Sequence, residues 1–123
     1  MTNVYKTLVA ARKKIDSPEK WGKGIRAFKR PQLRGLDTCC ASEAIEDVTK
    51  INWDKATITA DDDKIIFTRK AAYHLIECCA GISNHGDYSE ESIPGWNDAP
   101  ETTYDDVIHV YDLAIAIVRD FAK

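Results

Sequence analysis

The final quarter of the chain carries the feature that most restricts its fold, an apolar pattern with the period of a helix. Apolar side chains recur there at steps of four and three residues, at Val107, Tyr111, Ala114, Val118 and Phe121. This spacing places them on one face of a helix, so other parts of the chain must cover that face. We therefore predict a helix over residues 103–121 with one buried side.

The start of this helix is also marked in the sequence. Pro100 ends whatever precedes it, because proline cannot continue a helix. Thr102 or Thr103 can serve as the N-cap, since a threonine hydroxyl accepts a hydrogen bond from a first-turn amide. Each threonine has an aspartate three residues later, Asp105 or Asp106, which gives a weaker form of the capping box at the positive end of the helix dipole.

Two more amphipathic helices are predicted in the first half of the chain. The first covers residues 2–15 and is followed by a short helical turn that starts at Pro18. The second covers about residues 38–50, with its cap at Asp37 or Thr38. Its apolar side consists of small residues, so we expect another helix to approach it closely.

A fourth helix is predicted to end at Gly81, a residue type that favours helix C-termini. It starts near Asp62 or only at Thr68. The acidic run 61–63 suits a helix N-terminus better than a calcium loop, which spaces its acids alternately and needs a glycine. Its outer side is expected to carry Arg69, His74 and Glu77.

These helices predict an all-α fold, a single domain over residues 1–123 built as a bundle of four or five helices with a long loop before the last one. A short β-hairpin around residues 25–30 and 56–60 is the less favoured alternative. No apolar run approaches the roughly 20 residues that span a bilayer. The N-terminal segment also lacks the apolar stretch of a secretory signal. We expect no membrane association and a cytoplasmic location, in a bacterium or in an infected cell.

The predicted long loop, residues 83–101, holds the densest group of chemically able side chains. Loops of this length in small domains often serve function. The candidate binding residues in it are His85, Asp87, Trp96, Asn97 and Asp98. The alternative is structural, with the indole of Trp96 packed on the core while Asn97 and Asp98 bond nearby backbone amides.

Charge is divided unevenly along the chain. Residues 1–34 carry ten Lys/Arg and two Asp/Glu, a net charge of +8, whereas residues 35–123 carry seven and eighteen, a net charge of −11. The basic third either pairs with the acidic remainder, within one chain or in a homodimer, or it binds an external anion such as nucleic acid or a nucleotide. The second hypothesis assigns the contact to Arg26, Lys29, Arg30 and Arg34.

Four cysteines occur as two adjacent pairs, at residues 39–40 and 78–79. Neighbours on a helix point about 100° apart, so a pair serves a single metal ion poorly. A reducing cytosol also disfavours disulfides. We interpret Cys40 and at least one of Cys78 and Cys79 as small core residues, and we predict no metal and no cofactor. A metal site shared by the cysteines and a reactive thiol are the less favoured alternatives.

Several short motifs, taken together, resemble a known family. They are Trp-Gly at 21–22, Cys-Ala-x-x-Ala-Ile at 40–45, Trp-Asn-Asp at 96–98 and Thr-x-x-Asp-Val at 103–107, with a long periodic helix after them. This order resembles a family of small bacterial and bacteriophage proteins of unknown function. The resemblance implies a small, mostly helical cytoplasmic protein, often carried by phages, and it implies no activity.

Three classes of function follow from these observations. The favoured one is a non-enzymatic binding protein that acts on a protein partner, a host protein if the phage association holds. The alternative is binding of nucleic acid or a nucleotide through the basic third. An enzyme is the least favoured, with His85, Asp87 and Asp98 as acid–base groups and Cys40 or Cys78 as nucleophile.

Overall fold

Helices make up the regular structure of the protein where it is described. The computed structural model describes residues 3–22, 40–50, 57, 59–82 and 93–121. Within them run α1 (Val4–Lys14), a 3-10 turn (Pro18–Lys20), α2 (Ala41–Val48), α3 (Ala60–Ala80), α4 (Ile93–Asp98) and α5 (Tyr104–Phe121). The predicted all-α fold is confirmed. None of these helices combines the length and the apolarity that crossing a membrane requires.

The core forms where α1 packs against α2, α3 and α5. Its fully buried apolar side chains include Leu8, Ala11, Ile15, Ala41, Ala44, Ile45, Ala72, Ile76, Val107, Tyr111 and Ala114. Nearly half of this set is alanine, which lets the helix axes approach closely. The larger side chains then fill the space between the helices, since protein interiors are close-packed.

α5 is joined to the C-terminal end of α1 by a hydrogen bond and an ion pair. The Tyr104 hydroxyl, at the start of α5, donates to the carbonyl oxygen of Ile15, just after α1, at 2.8 Å. One turn into α1 from that end, Arg12 Nε lies 2.6 Å from Asp112 Oδ1. The Trp21 and Tyr104 rings pack with centroids 6.1 Å apart and planes tilted by 53°. Aromatic pairs favour such tilted contacts.

Two helices begin with reciprocal caps. At α5, the backbone N–H of Thr103 donates to Asp106 at 2.9 Å, and Asp106 N–H donates to Thr103 Oγ1 at 3.2 Å. This resolves the two predicted alternatives in favour of Thr103. At α3, Thr59 and Asp62 form the same capping box, at 2.8 and 3.2 Å. The predicted start near Asp62 is therefore confirmed and the one at Thr68 is wrong, because this cap places the first residue at Ala60, with Asp61, Asp62 and Asp63 in the first turn.

The end of α3 follows the prediction. Gly81 adopts a left-handed conformation with φ of 76°, and the Ile82 amide donates back to the Glu77 carbonyl oxygen at 2.9 Å. A residue with a Cβ atom resists this backbone conformation, which is why glycine is common here.

Two other boundaries differ from the predictions. α2 begins at Ala41 with Cys40 as its N-cap, so the predicted cap at Asp37 or Thr38 is wrong. The predicted loop 83–101 is interrupted by α4, which packs against α2 and α3. Residues 83–92 of that loop, and residues 25–30 of the alternative hairpin, lie outside the described residues.

Candidate functional site

A fully buried asparagine connects the segments that enclose one end of the bundle. Asn97 lies in α4 and has no exposed surface. Its Oδ1 accepts one hydrogen bond from Trp21 Nε1–H at 2.7 Å and another from the backbone N–H of Ala41 at 3.0 Å. These donors lie far away in sequence, so one side chain joins the chain after the 3-10 turn to the first turn of α2.

The side-chain nitrogen of Asn97 also makes two hydrogen bonds. Its Nδ2 donates to the Gly22 carbonyl oxygen at 3.0 Å and to Asp98 Oδ1 at 3.1 Å. The orientation of the amide group is fixed by chemistry, because indole and backbone N–H groups only donate and a carbonyl oxygen only accepts. All four hydrogen-bonding positions of Asn97 are therefore used inside the protein.

The three predicted binding residues Trp96, Asn97 and Asp98 differ in their exposure to solvent. Asn97 is buried, Trp96 is half-buried against the core, and Asp98 is exposed while accepting from Asn97. The structural alternative also needs revision, since Asn97 bonds distant backbone groups rather than nearby ones. The remaining candidates, His85, Asp87, Arg26, Lys29, Arg30 and Arg34, lie outside the described residues.

A second polar junction closes the C-terminus of α2. Arg69 Nε donates to Thr49 Oγ1 at 2.9 Å, and its Nη2 donates to the Thr49 carbonyl oxygen. The Thr49 hydroxyl in turn donates to the Ile45 carbonyl oxygen at 2.6 Å. The guanidinium of Arg69 therefore provides a hydrogen-bond donor for the Thr49 carbonyl group, which follows the last residue of α2. The predicted outward positions of Arg69 and Glu77 are wrong, since Arg69 is half-buried and Glu77 is buried.

The Tyr111 hydroxyl adds a third polar link inside the core. It donates to the carbonyl oxygen of Ala41, the residue whose N–H is bound by Asn97. Both backbone groups of Ala41 are thus held by side chains from α4 and α5. The start of α2 is fixed by these long-range contacts and by its own cap.

Cys40 has a structural position rather than one that suits a nucleophile. Its Sγ accepts from the Glu43 N–H at 3.4 Å and contacts Ser42 Oγ at 3.4 Å. Burial raises the pKa of the Cys40 thiol above its ordinary value, against the lowering contributed by these two contacts. A raised pKa leaves less thiolate at neutral pH, and the thiolate is the reactive form. Cys40 is therefore a half-buried helix cap, not the core residue that the sequence predicted.

The other described cysteines occupy different sides of α3. Cys79 is half-buried, and burial raises the pKa of its thiol. Cys78 is exposed, with its Sγ 3.6 Å from Nε2 of His74, one turn earlier on the same face. The prediction that His74 lies outside is confirmed. Cys39 lies outside the described residues.

Within the described part of the basic third, two cations pair with carboxylates of the same chain. Arg12 bonds Asp112, and Lys20 Nζ lies 2.9 Å from Asp16 Oδ1. This hydrogen bond to Lys20 lowers the pKa of the exposed Asp16 carboxyl. A shallow depression nearby is lined by residues of both signs, including Lys13, Lys14, Asp16, Glu19 and Lys20. Of these two pairs, Arg12–Asp112 joins the basic third to the acidic remainder, whereas Lys20–Asp16 lies within the basic third.

The outer face of α3 differs from these charged surfaces, because it exposes a large apolar side chain to solvent. Phe67 is 76% exposed, far more than Val9, Leu113 or Ile117, the other exposed large apolar side chains among the described residues, which are 40–41% exposed. Phe67, Ala71, His74 and Cys78 recur at steps of four, three and four, so they share one face of the helix. We call these four residues the outer stripe. The spacing of the outer stripe is visible in the sequence, but the more apolar inner face of the same helix dominates the pattern.

Comparison with known proteins identifies a family and no activity. The model of a family of unknown function (DUF6197) matches residues 1–117, so the chain belongs to that family. No curated protein and no solved structure gives a significant match. The expected membership of a family without known function is confirmed, while the bacterial or phage setting stays a prediction.

Proposed function

We propose that this member of a family of unknown function is a non-enzymatic binding protein that contacts a protein partner through the outer stripe of α3. The observation that carries the proposal is the 76% exposure of Phe67. Covering a phenyl side chain gains about 1.5–3 kcal/mol relative to leaving it in water. A partner that buries this ring therefore recovers free energy that the isolated chain does not.

The surroundings of Phe67 have the composition of a small interface. Ala71 continues the stripe by one turn and lets a partner approach the helix backbone. Asp63, Lys64 and Lys70 are exposed beside it and carry charges of both signs. An apolar centre with a polar rim is typical of protein–protein contacts, and aromatic residues at such centres often dominate the binding energy. A single exposed apolar residue is ordinary; alignment with the other stripe residues distinguishes Phe67.

The polar groups described elsewhere support a binding role over catalysis. Asn97, Arg69 and Tyr111 are all engaged in joining helix ends. Cys40, one of the two expected nucleophiles, has a raised pKa and serves as a cap. These side chains stabilise the bundle. Among the described residues, the surface that remains available to a partner lies largely on the outer faces of the helices.

Site-specific photocrosslinking tests this proposal. A benzoylphenylalanine is placed at position 67 in the full chain, with a matched chain that carries it at Leu113, an exposed apolar position of α5. In reducing bacterial lysate, position 67 should give a discrete light-dependent protein adduct, and position 113 should not. Excess wild-type chain should compete the adduct away, whereas the Phe67→Ser chain should not.

The mass of the adduct also identifies the kind of partner. Twice the chain mass indicates a second copy, and any other discrete mass indicates a different protein. Equal adducts at the two positions, or no adduct at position 67, would contradict the proposal that the outer stripe is the contact surface.

A further inference from the structure

The C-terminal half of the outer stripe holds an imidazole and a thiol in a metal-ligating arrangement. His74 and Cys78 are both exposed, with Nε2 and Sγ 3.6 Å apart. They are separated by four residues, so their side chains lie on one face of α3, one above the other. Zinc-binding helices use the same four-residue separation to direct two ligands at one ion.

The distance between the two atoms matches the geometry of a tetrahedral ion. Zn–S and Zn–N bonds of about 2.3 and 2.0–2.1 Å, set at the tetrahedral angle, place the ligand atoms about 3.5–3.6 Å apart. A hydrogen bond between the thiol and the imidazole has a similar length and accounts for the observed distance. Zn²⁺ would replace the shared proton with little movement of either side chain, and that thiol proton would pass to solvent.

A single pair supplies only two of four ligands. Among the described ranges there is no group of three or more His, Cys, Asp or Glu side chains that could hold a metal ion. A second copy of the chain supplies an identical pair. Two such pairs around a two-fold axis give two nitrogens and two sulfurs, one of the donor sets of tetrahedral zinc.

The rest of the outer stripe fits a second copy as well. With two α3 helices side by side and parallel, the axis that joins the His74–Cys78 pairs also brings Ala71 opposite Ala71 and Phe67 opposite Phe67. The steps of four, three and four residues are those of the alternating contact positions in a two-stranded coiled coil. Phe67 lies about 10 Å along the helix from His74, so it buries its ring without reaching the metal.

We infer that His74 and Cys78 from two copies of this chain bind one Zn²⁺ and hold the outer stripes together. This inference rests on the proposed function, because it requires the outer stripe to be a contact surface. It assigns the partner as a second copy and assigns the ion as part of the contact.

Metal titration of the reduced full-length chain tests the inference. Co²⁺ as a spectroscopic probe should saturate at one ion per two chains and show thiolate-to-cobalt charge-transfer absorption. Zn²⁺ should double the mass measured by sedimentation equilibrium, and a chelator should reverse it. His74→Gln and Cys78→Ser should abolish both effects. Cys79→Ser, which changes the adjacent half-buried thiol on another side of the helix, should leave both intact.

Urea unfolding without metal checks that these variants fold like the wild-type chain, as substitution of exposed side chains should allow. Metal binding that survives Cys78→Ser, a stoichiometry of one ion per chain without association, or no metal-dependent change would overturn the inference. A position-67 adduct with another protein, combined with no effect of metal, would refute the zinc dimer while leaving the proposed function intact. Failure of the crosslink as well would remove both.

Discussion

At the scale of single residues, Asn97 shows why a polar residue belongs in this core. It presents an acceptor to two N–H groups and a donor to a carbonyl oxygen within one planar group. Leucine has a similar size but would leave those three groups without partners. Aspartate would direct a second oxygen at the Gly22 carbonyl oxygen. Asparagine is the side chain whose two ends match this arrangement.

Replacement of Asn97 by alanine should destabilise the fold strongly. Buried groups left without hydrogen-bond partners cost about 1–3 kcal/mol each, and relaxation around the site reduces the total, so we expect a loss of about 2–4 kcal/mol. Urea unfolding followed by tryptophan fluorescence measures it. Asp98→Ala is the matched control, since Asp98 is exposed and accepts a hydrogen bond from the Asn97 side-chain nitrogen. A loss in Asn97→Ala no larger than in this control would show that the network contributes little.

The hydrogen-bond partners of Asn97 could not be predicted from the sequence. Trp21 and Ala41 lie 76 and 56 residues away from it. A local pattern of Trp, Asn and Asp predicts a turn with local bonding, because only neighbouring groups can be inferred from spacing. The identity of a distant donor depends on how the helices pack.

At the scale of helices, boundaries set by adjacent residues were readable and boundaries set by distant ones were not. Thr103 with Asp106, and Gly81 with its left-handed backbone, are local signals that gave correct ends. The acidic run 61–63 is another local signal, and it gave the start of α3 near Asp62, close to the observed cap at Thr59. The start of α2 depends on Asn97 and Tyr111, which a linear reading does not bring near Ala41.

The contact between α2 and α3 yields a prediction at this scale. Arg69→Ala removes the guanidinium that bonds Thr49, and hydrogen bonds to charged groups contribute about 1.5–3 kcal/mol. We expect a decrease of about that size in the free energy of unfolding. Lys70→Ala, at the next and exposed position, should change it by less than about 0.5 kcal/mol. Similar values for the two variants in urea unfolding would refute the role of Arg69 as a helix cap.

At the scale of the whole molecule, fold and function are assigned to different faces of the same helices. The inner faces carry the alanine-rich core and the polar links of Asn97, Arg69 and Tyr111. Hydrophobic periodicity predicted this all-α core well, because burial acts on every residue of a helix face. The charge asymmetry was less informative about function, since some of the basic side chains form ion pairs within the chain, such as Arg12 with Asp112. The proposed contact surface lies outside these networks, on the outer stripe.

The Phe67→Ser chain, measured for stability and for association in the same sample, tests this separation most directly. Phe67 is 76% exposed, so the free energy of unfolding should stay within about 0.5 kcal/mol of the wild-type value. Association should nevertheless fall sharply, seen as loss of the Zn²⁺-dependent doubling of mass and of competition for the position-67 adduct. A loss of stability above about 1.5 kcal/mol, or association that is unchanged, would contradict the assignment of the outer stripe as the contact surface.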